Sequence, residues 1–209
     1  MKKLLVATTN PGKLAEICRY LSSLPLELVS LAGLNIQDKV KETGDTFKEN
    51  AILKTMFFMK LSGLPTIGDD GGFEIDALGG EPGVKSHRWI HGDREDTDEE
   101  LIRYTFKIMK DVPEGKRGAQ LRAVLAFAYP GGPISTASAV TRGIIPFKPS
   151  QRRSHGFPYR SILFLPEIDK FYNEYELTPE ENKQYNHRKK ALNQLKPIIL
   201  KSLDIHETD

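Results

Sequence analysis

Leu4-Leu5-Val6-Ala7-Thr8-Thr9-Asn10-Pro11-Gly12-Lys13 decides how the chain starts to fold. Leu4 to Ala7 form a short apolar run, the pattern of a buried strand. Asn10 suits a helix cap and Pro11 the first helical position, where a missing N–H loses nothing. Leu14, Ile17, Cys18 and Leu21 then recur at helical spacing, so one helix face packs on the sheet. Cys18 lies on that stripe and reads as a plain core thiol.

Working outward, residues 26–31 read as a second strand and 32–45 as a loop without clear period. Thr46-Phe47-Lys48-Glu49 is a capping box that opens a helix to about Leu61, ended by Gly63-Leu64-Pro65. Thr66-Ile67-Gly68 leads into Asp69-Asp70-Gly71-Gly72, and Phe73-Glu74-Ile75-Asp76 then alternates like a strand. Further boxes start at Thr97, for a helix to about Lys110, and at Thr178. Residues 121–129 and 134–142 fit an antiparallel pair about Pro130-Gly131-Gly132-Pro133. The last helix carries Leu192, Leu195 and Ile199 on one face, with a break or bend expected near Pro197. Helices alternate with strands early and an antiparallel pair comes late, which predicts a mixed α/β sheet with flanking helices. No repeat or linker splits the chain, so one domain over 1–203 is expected, with a frayed polar tail at 204–209.

The chain has 209 residues, 39% hydrophobic and 28% charged, a globular balance that can bury a large core. Thirty Lys and Arg against 28 Asp and Glu leave a net charge of +2, which gives no electrostatic case for a nucleic-acid partner. The single cysteine excludes an internal disulfide and a cysteine-cluster zinc site. No apolar run approaches the roughly 18 residues of a membrane span. Met1 to Ala7 imitate a signal peptide, but Thr8-Thr9-Asn10 stop the run too early. These features predict a soluble cytoplasmic protein with no membrane partner.

Four clusters could do chemistry. Thr8, Thr9, Asn10 and Lys13 sit between strand and helix, where free backbone N–H groups attract anions; a capped helix start with an incidental lysine is the plainer reading. Glu42 lies in the loop, free to point at a metal, and Lys54 lies among apolar helix residues, which calls for a partner unless it snorkels to the surface. Asp69 and Asp70 are adjacent carboxylates flanked by glycines. They are readily kept together by Mg²⁺ shared with a phosphate, or belong to a tight polar turn. Gly71 and Gly72 suggest close approach by something. The fourth cluster joins Phe157, Tyr159 and Arg160 to Asn182, His187 and Arg188. There the aromatics offer a flat face to a nucleobase, or simply fill the core.

Taken in order, these stretches resemble the Ham1 family, the inosine triphosphate pyrophosphatases. The likeness rests on Thr8 to Lys13, Glu42-Thr43-Gly44-Asp45-Thr46-Phe47-Lys48-Glu49-Asn50-Ala51, and Asp69-Asp70-Gly71-Gly72-Phe73. It continues through Asp76-Ala77-Leu78, Pro82-Gly83-Val84, Ser86 to Arg88 and His187-Arg188. The resemblance implies an elongated α/β fold with two lobes around a central cleft, and a homodimer. It implies hydrolysis of non-standard purine nucleoside triphosphates (ITP, XTP, dITP) to the monophosphate and pyrophosphate, with Mg²⁺ as cofactor. Carried over by position, Thr8, Thr9, Asn10, Lys13 and Lys54 hold phosphates. Glu42 and Asp70 bind Mg²⁺, Asp69 supports them, and Asp70 is the proton acceptor. Phe157 stacks on the base, and His187 and Arg188 read it.

The base half departs from the family pattern, which leaves as alternatives the same pyrophosphohydrolase chemistry with shifted or relaxed base specificity, or nucleotide binding without turnover. Gly71 stands where the family has serine. Phe157-Pro158-Tyr159-Arg160 places Arg160 at a usual aspartate. Asn182 replaces a base-contacting lysine, with Lys183 one place and about 100° further round a helix, and Asn186 replaces a serine. Lys148, Arg152 and Arg153 form a basic loop, readable as a solvated loop or as a lid over the triphosphate.

Overall fold

The computed structural model describes residues 1–205; the expected tail at 206–209 lies outside them. Seven strands form one sheet in the order β2-β1-β3-β4-β5-β6-β7. They are β1 (Lys2–Ala7), β2 (Leu26–Ser30), β3 (Thr66–Ile75), β4 (Gly118–Ala128), β5 (Ser135–Ile144), β6 (Phe164–Leu165) and β7 (Lys170–Phe171). Among the described residues five α-helices accompany them: α1 (Pro11–Leu21), α2 (Phe47–Ser62), α3 (Asp98–Ile108), α4 (Pro179–Tyr185) and α5 (His187–Ser202). β1 runs parallel to β2 and β3, whereas β5, β6 and β7 pair antiparallel, so the sheet is mixed as expected. Among the described residues no helix is long and apolar enough to cross a membrane.

The chain divides into two compact units. The first comprises Met1–Asp70, Ala123–Ala139 and 188–205; the second comprises Gly71–Arg122 and Val140–His187. In the first unit, α1 buries Ile17 and Leu21 with Leu4, Val6 and Ile67 of the sheet and Leu192, Leu195 and Ile199 of α5. The partly buried Cys18 packs against the same cluster, and burial raises its thiol pKa. In the second unit, Phe73, Leu101, Met109, Tyr159, Leu163 and Tyr172 belong to a separate core.

All three capping boxes form, at Thr46, Thr97 and Thr178, each joining the cap threonine to the glutamate three residues on. Gly63 ends α2 at φ 69°, a conformation open to glycine.

Two expectations need correction. Asp69-Asp70-Gly71-Gly72 is not a tight turn but the middle of β3. The helix break falls at Asn186, which is extended (φ −63°, ψ 109°), while α5 continues through Pro197. The missing Cβ of Gly72 also has an internal cause. A Cβ there would lie 2.1 Å from Ser86 Oγ, which accepts from the Phe73 N–H at 2.8 Å. The close approach at Gly72 is made by the chain itself.

Candidate active site

The first unit gathers most of the charged candidates. At the start of α1, Asn10 Oδ1 accepts from the Lys13 N–H at 3.0 Å, and Thr8 Oγ1 accepts from the Asn10 N–H at 3.2 Å. These side-chain oxygens therefore fix the turn, and Lys13 is aimed by the helix start that they cap. Thr9 is exposed beside them.

Because successive strand residues face opposite sides of a sheet, β3 separates Asp69 from Asp70. In the structure the two carboxylates make their close ion pairs with different lysines. Asp69 is 1% exposed. Its Oδ2 accepts from Arg188 Nε at 2.6 Å, and Lys13 Nζ lies 2.7 Å from Oδ1, an ion pair short of an aligned hydrogen bond. Arg188 also donates to Glu16 through its NH1 group. Burial opposes ionisation of Asp69, but Arg188 and Lys13 outweigh it and hold the carboxyl well below the usual carboxylate range.

Asp70 meets a different lysine. Lys54 Nζ lies 3.0 Å from Asp70 Oδ1, 3.0 Å from Glu42 Oε2 and 3.2 Å from the Asp69 carbonyl oxygen. Burial raises the Asp70 pKa; Lys54 and Lys13 pull it down, Glu42 pushes it up, and the net shift is upward. Burial pulls Lys54 down, but Asp70 and Glu42 reverse that and raise its pKa.

The mounting of this cluster follows from close backbone packing. A Cβ on Gly68 would lie 2.4 Å from Thr55 Oγ1 and 3.1 Å from the Ala51 carbonyl, so β3 can approach α2 there only as glycine. Thr55 Oγ1 is bonded to the Ala51 and Ala126 carbonyls. Asn50 holds the Glu42 loop to α2: its Oδ1 accepts from the Gly44 N–H at 2.8 Å and its Nδ2 donates to the Gly44 carbonyl at 3.3 Å. Two carboxylates and a carbonyl converging on one cationic group form a hard-oxygen donor set, which fits Mg²⁺. Glu42 and Asp70 are the residues that would hold it.

Sequence reasoning missed Glu16, which is 7% exposed and essential to the Arg188 arrangement. A signal was present: Glu16 stands three residues after Lys13, on the same face of a helix. It missed Thr55 too, whose role depends on the Gly68 contact.

The second unit holds the remaining candidates. Phe157 is half-buried, and the Arg160 guanidinium carbon lies 4.1 Å from its ring centroid, so Arg160 covers one face of that ring. Arg160 also lies 5.2 Å from the Tyr172 ring centroid and is 5% exposed. Tyr159 is a core residue and presents no open platform: it stacks on Phe73 at 4.6 Å and donates its hydroxyl to the Ser86 carbonyl at 2.6 Å. His187 is buried, with Nδ1 3.2 Å from the Tyr172 hydroxyl. Asn182 is partly exposed and accepts from Asn186 Nδ2 at 3.4 Å. Gly71 follows Asp70 in β3 and is partly exposed. Adjacent in sequence, His187 and Arg188 thus enter different networks, and Arg188 serves the acidic cluster of the first unit. In the basic loop, Arg153 Nε donates to Glu99 Oε1 at 2.9 Å and Arg152 to the Tyr175 carbonyl at 3.3 Å, so both arginines are tied down within the second unit.

The sequence profile of the Ham1 family matches residues 4–198. The chain is 40% identical over 193 residues to a dITP/XTP pyrophosphatase of Thermus thermophilus, spanning 92% of this chain and 89% of that one. It is 35% identical over 199 residues to a dITP/XTP pyrophosphatase of Bacillus subtilis, spanning 95% and 98%. Its fold is similar to the solved HAM1 protein of Coxiella burnetii, with a TM-score of 0.82 and 31% identity over 96% of this chain and all of the other. With nearly its whole length matched in sequence and fold, the chain belongs to the Ham1 family.

Proposed function

We propose that this protein hydrolyses non-standard purine nucleoside triphosphates (ITP, XTP and dITP) to the monophosphate and pyrophosphate, and so cleanses the nucleotide pool. The observation that carries the reading is a pair of lysine–carboxylate groups built around β3: Lys13 with the buried Asp69, and Lys54 with the buried Asp70 and the exposed Glu42. A triphosphate brings about four negative charges, and lysines held at fixed positions can stabilise charge that grows on phosphoryl oxygens.

The two aspartates take different parts. Asp69 stays ionised, because Arg188 and Lys13 outweigh its burial, and it orients those cations. Asp70, buried beside Lys54, takes a proton from the attacking water. When bound at Glu42 and Asp70, Mg²⁺ supplies charge neutralisation for the phosphates. Thr8, Thr9, Asn10 and Lys13 form the phosphate-facing start of α1. Phe157, Arg160, Asn182 and His187 contribute to base selection. The active form is a homodimer working in the cytoplasm.

A panel of ITP, XTP, dITP, GTP, ATP, dUTP and CTP, assayed for pyrophosphate release with Mg²⁺, tests this reading. It predicts preference for ITP, XTP and dITP; release from none of the three overturns it.

A further inference from the structure

Lys54 Nζ sits among three oxygens: Glu42 Oε2 at 3.0 Å, Asp70 Oδ1 at 3.0 Å and the Asp69 carbonyl at 3.2 Å. An ammonium carries three N–H donors, so these oxygens match its full capacity. Two carboxylates and a carbonyl are equally the hard donors that a small divalent cation prefers. The Lys54 and Asp70 side chains are only 14% and 9% exposed, so water screens that pair poorly, while Glu42 reaches it from the exposed loop. A lysine and a divalent ion cannot both sit close to the same two carboxylates without strong mutual repulsion.

We propose that the Lys54 ammonium is a built-in counter-cation that competes with the divalent metal for Glu42 and Asp70. The proposal rests on these two residues being the metal ligands. Without nucleotide, the ammonium balances both carboxylates and keeps them together, and metal alone binds weakly against it. A triphosphate offers the ammonium new anionic oxygens. The flexible four-carbon stem lets it leave the carboxylates for them. Metal and triphosphate therefore favour each other's binding, and Lys54 couples them.

Calorimetric titration of Mn²⁺ alone into the nucleotide-free protein tests this. The variants are Lys54→Met, Lys54→Gln, Lys54→Arg, Glu42→Gln and the double Lys54→Met/Glu42→Gln. Removing the competing charge should tighten Mn²⁺ binding roughly tenfold or more in Lys54→Met and Lys54→Gln, while Lys54→Arg stays near wild type. The gain should vanish in the double variant. Thermal melting in EDTA should show both neutral variants less stable than wild type, with added Mn²⁺ restoring them. Unchanged or weaker Mn²⁺ binding in the neutral variants, with Glu42→Gln still lowering wild-type affinity, overturns the competition and leaves the ligand assignment standing. Mn²⁺ affinity indifferent to Glu42→Gln in both backgrounds overturns the ligand assignment and the competition with it.

Discussion

Arg188 Nε donates to Asp69 Oδ2 at 2.6 Å, joining the first turn of α5 to the middle of β3. Lys13 takes the other oxygen of the same carboxylate at 2.7 Å. A single buried anion therefore fixes two cations drawn from two helices. Replacing it leaves Lys13 without its anion and Arg188 with Glu16 as its remaining carboxylate, so Asp69→Asn should lower stability by about 3–5 kcal/mol. Urea denaturation of both proteins measures this; equal midpoints would contradict it.

The same carboxylate predicts a pH dependence. Its folded-state pKa lies below the ordinary value of 3.8, so its contribution is present above that value and is lost as pH falls toward the folded-state pKa. The stability gap between wild type and Asp69→Asn should be full at neutral pH and should close progressively below about 3.8. Denaturation curves at stepped pH check the direction. A gap that widens on acidification is the contrary result.

Glu16 holds the other side of Arg188. Glu16→Gln should leave the protein folded but let Arg188, and with it Asp69 and Lys13, shift. Loss of positioning on that scale should reduce kcat/KM for dITP roughly ten- to a hundredfold. Steady-state kinetics beside a melting curve separate positioning from unfolding. Unchanged kinetics would show that Arg188 needs only Asp69.

How much of this was legible in the sequence follows from the range of each interaction. Asn10, Thr46, Thr97 and Thr178 marked their helices because a cap bonds three residues along the chain, and the prediction was local. The Asp69-Asp70-Gly71-Gly72 stretch looked like a turn because aspartate and glycine favour turns. Tertiary partners reversed that preference: Lys13, Arg188 and Lys54 neutralise the carboxylates, and Ser86 fills the space beside Gly72. Pro197 lacks an N–H but is carried within α5, whereas the break falls at Asn186, a residue with no strong breaking signal. Glu16, Thr55 and the Arg160–Phe157 contact each depend on partners brought close by the fold, and no local pattern names them.

Gly68 offers a test of the mount. A methyl group there would overlap Thr55 Oγ1 and press on the Ala51 carbonyl. Gly68→Ala should destabilise by about 1–3 kcal/mol and disturb the Lys54–Asp70 pair. Gly115→Ala is the control, since a Cβ there meets nothing within 4 Å, and it should stay within about 0.5 kcal/mol of wild type. Equal effects of the two substitutions would refute the close β3–α2 contact.

Arg160 covers a face of Phe157 at the position where the family pattern has aspartate. Arg160→Ala should uncover that ring and change the ratio of kcat/KM between dITP and dGTP by roughly tenfold, with pyrophosphate release retained. A constant ratio would remove Arg160 from base selection.

Hydrolysis between the α- and β-phosphates, with Asp70 as proton acceptor, fixes both the products and the effect of losing that carboxylate. Product analysis of dITP turnover with Mg²⁺, in wild type and Asp70→Asn, tests it most directly. One dIMP and one pyrophosphate should form per dITP consumed, and turnover should fall by about two or more orders of magnitude in Asp70→Asn. Formation of dIDP and orthophosphate, or wild-type turnover in Asp70→Asn, would contradict it.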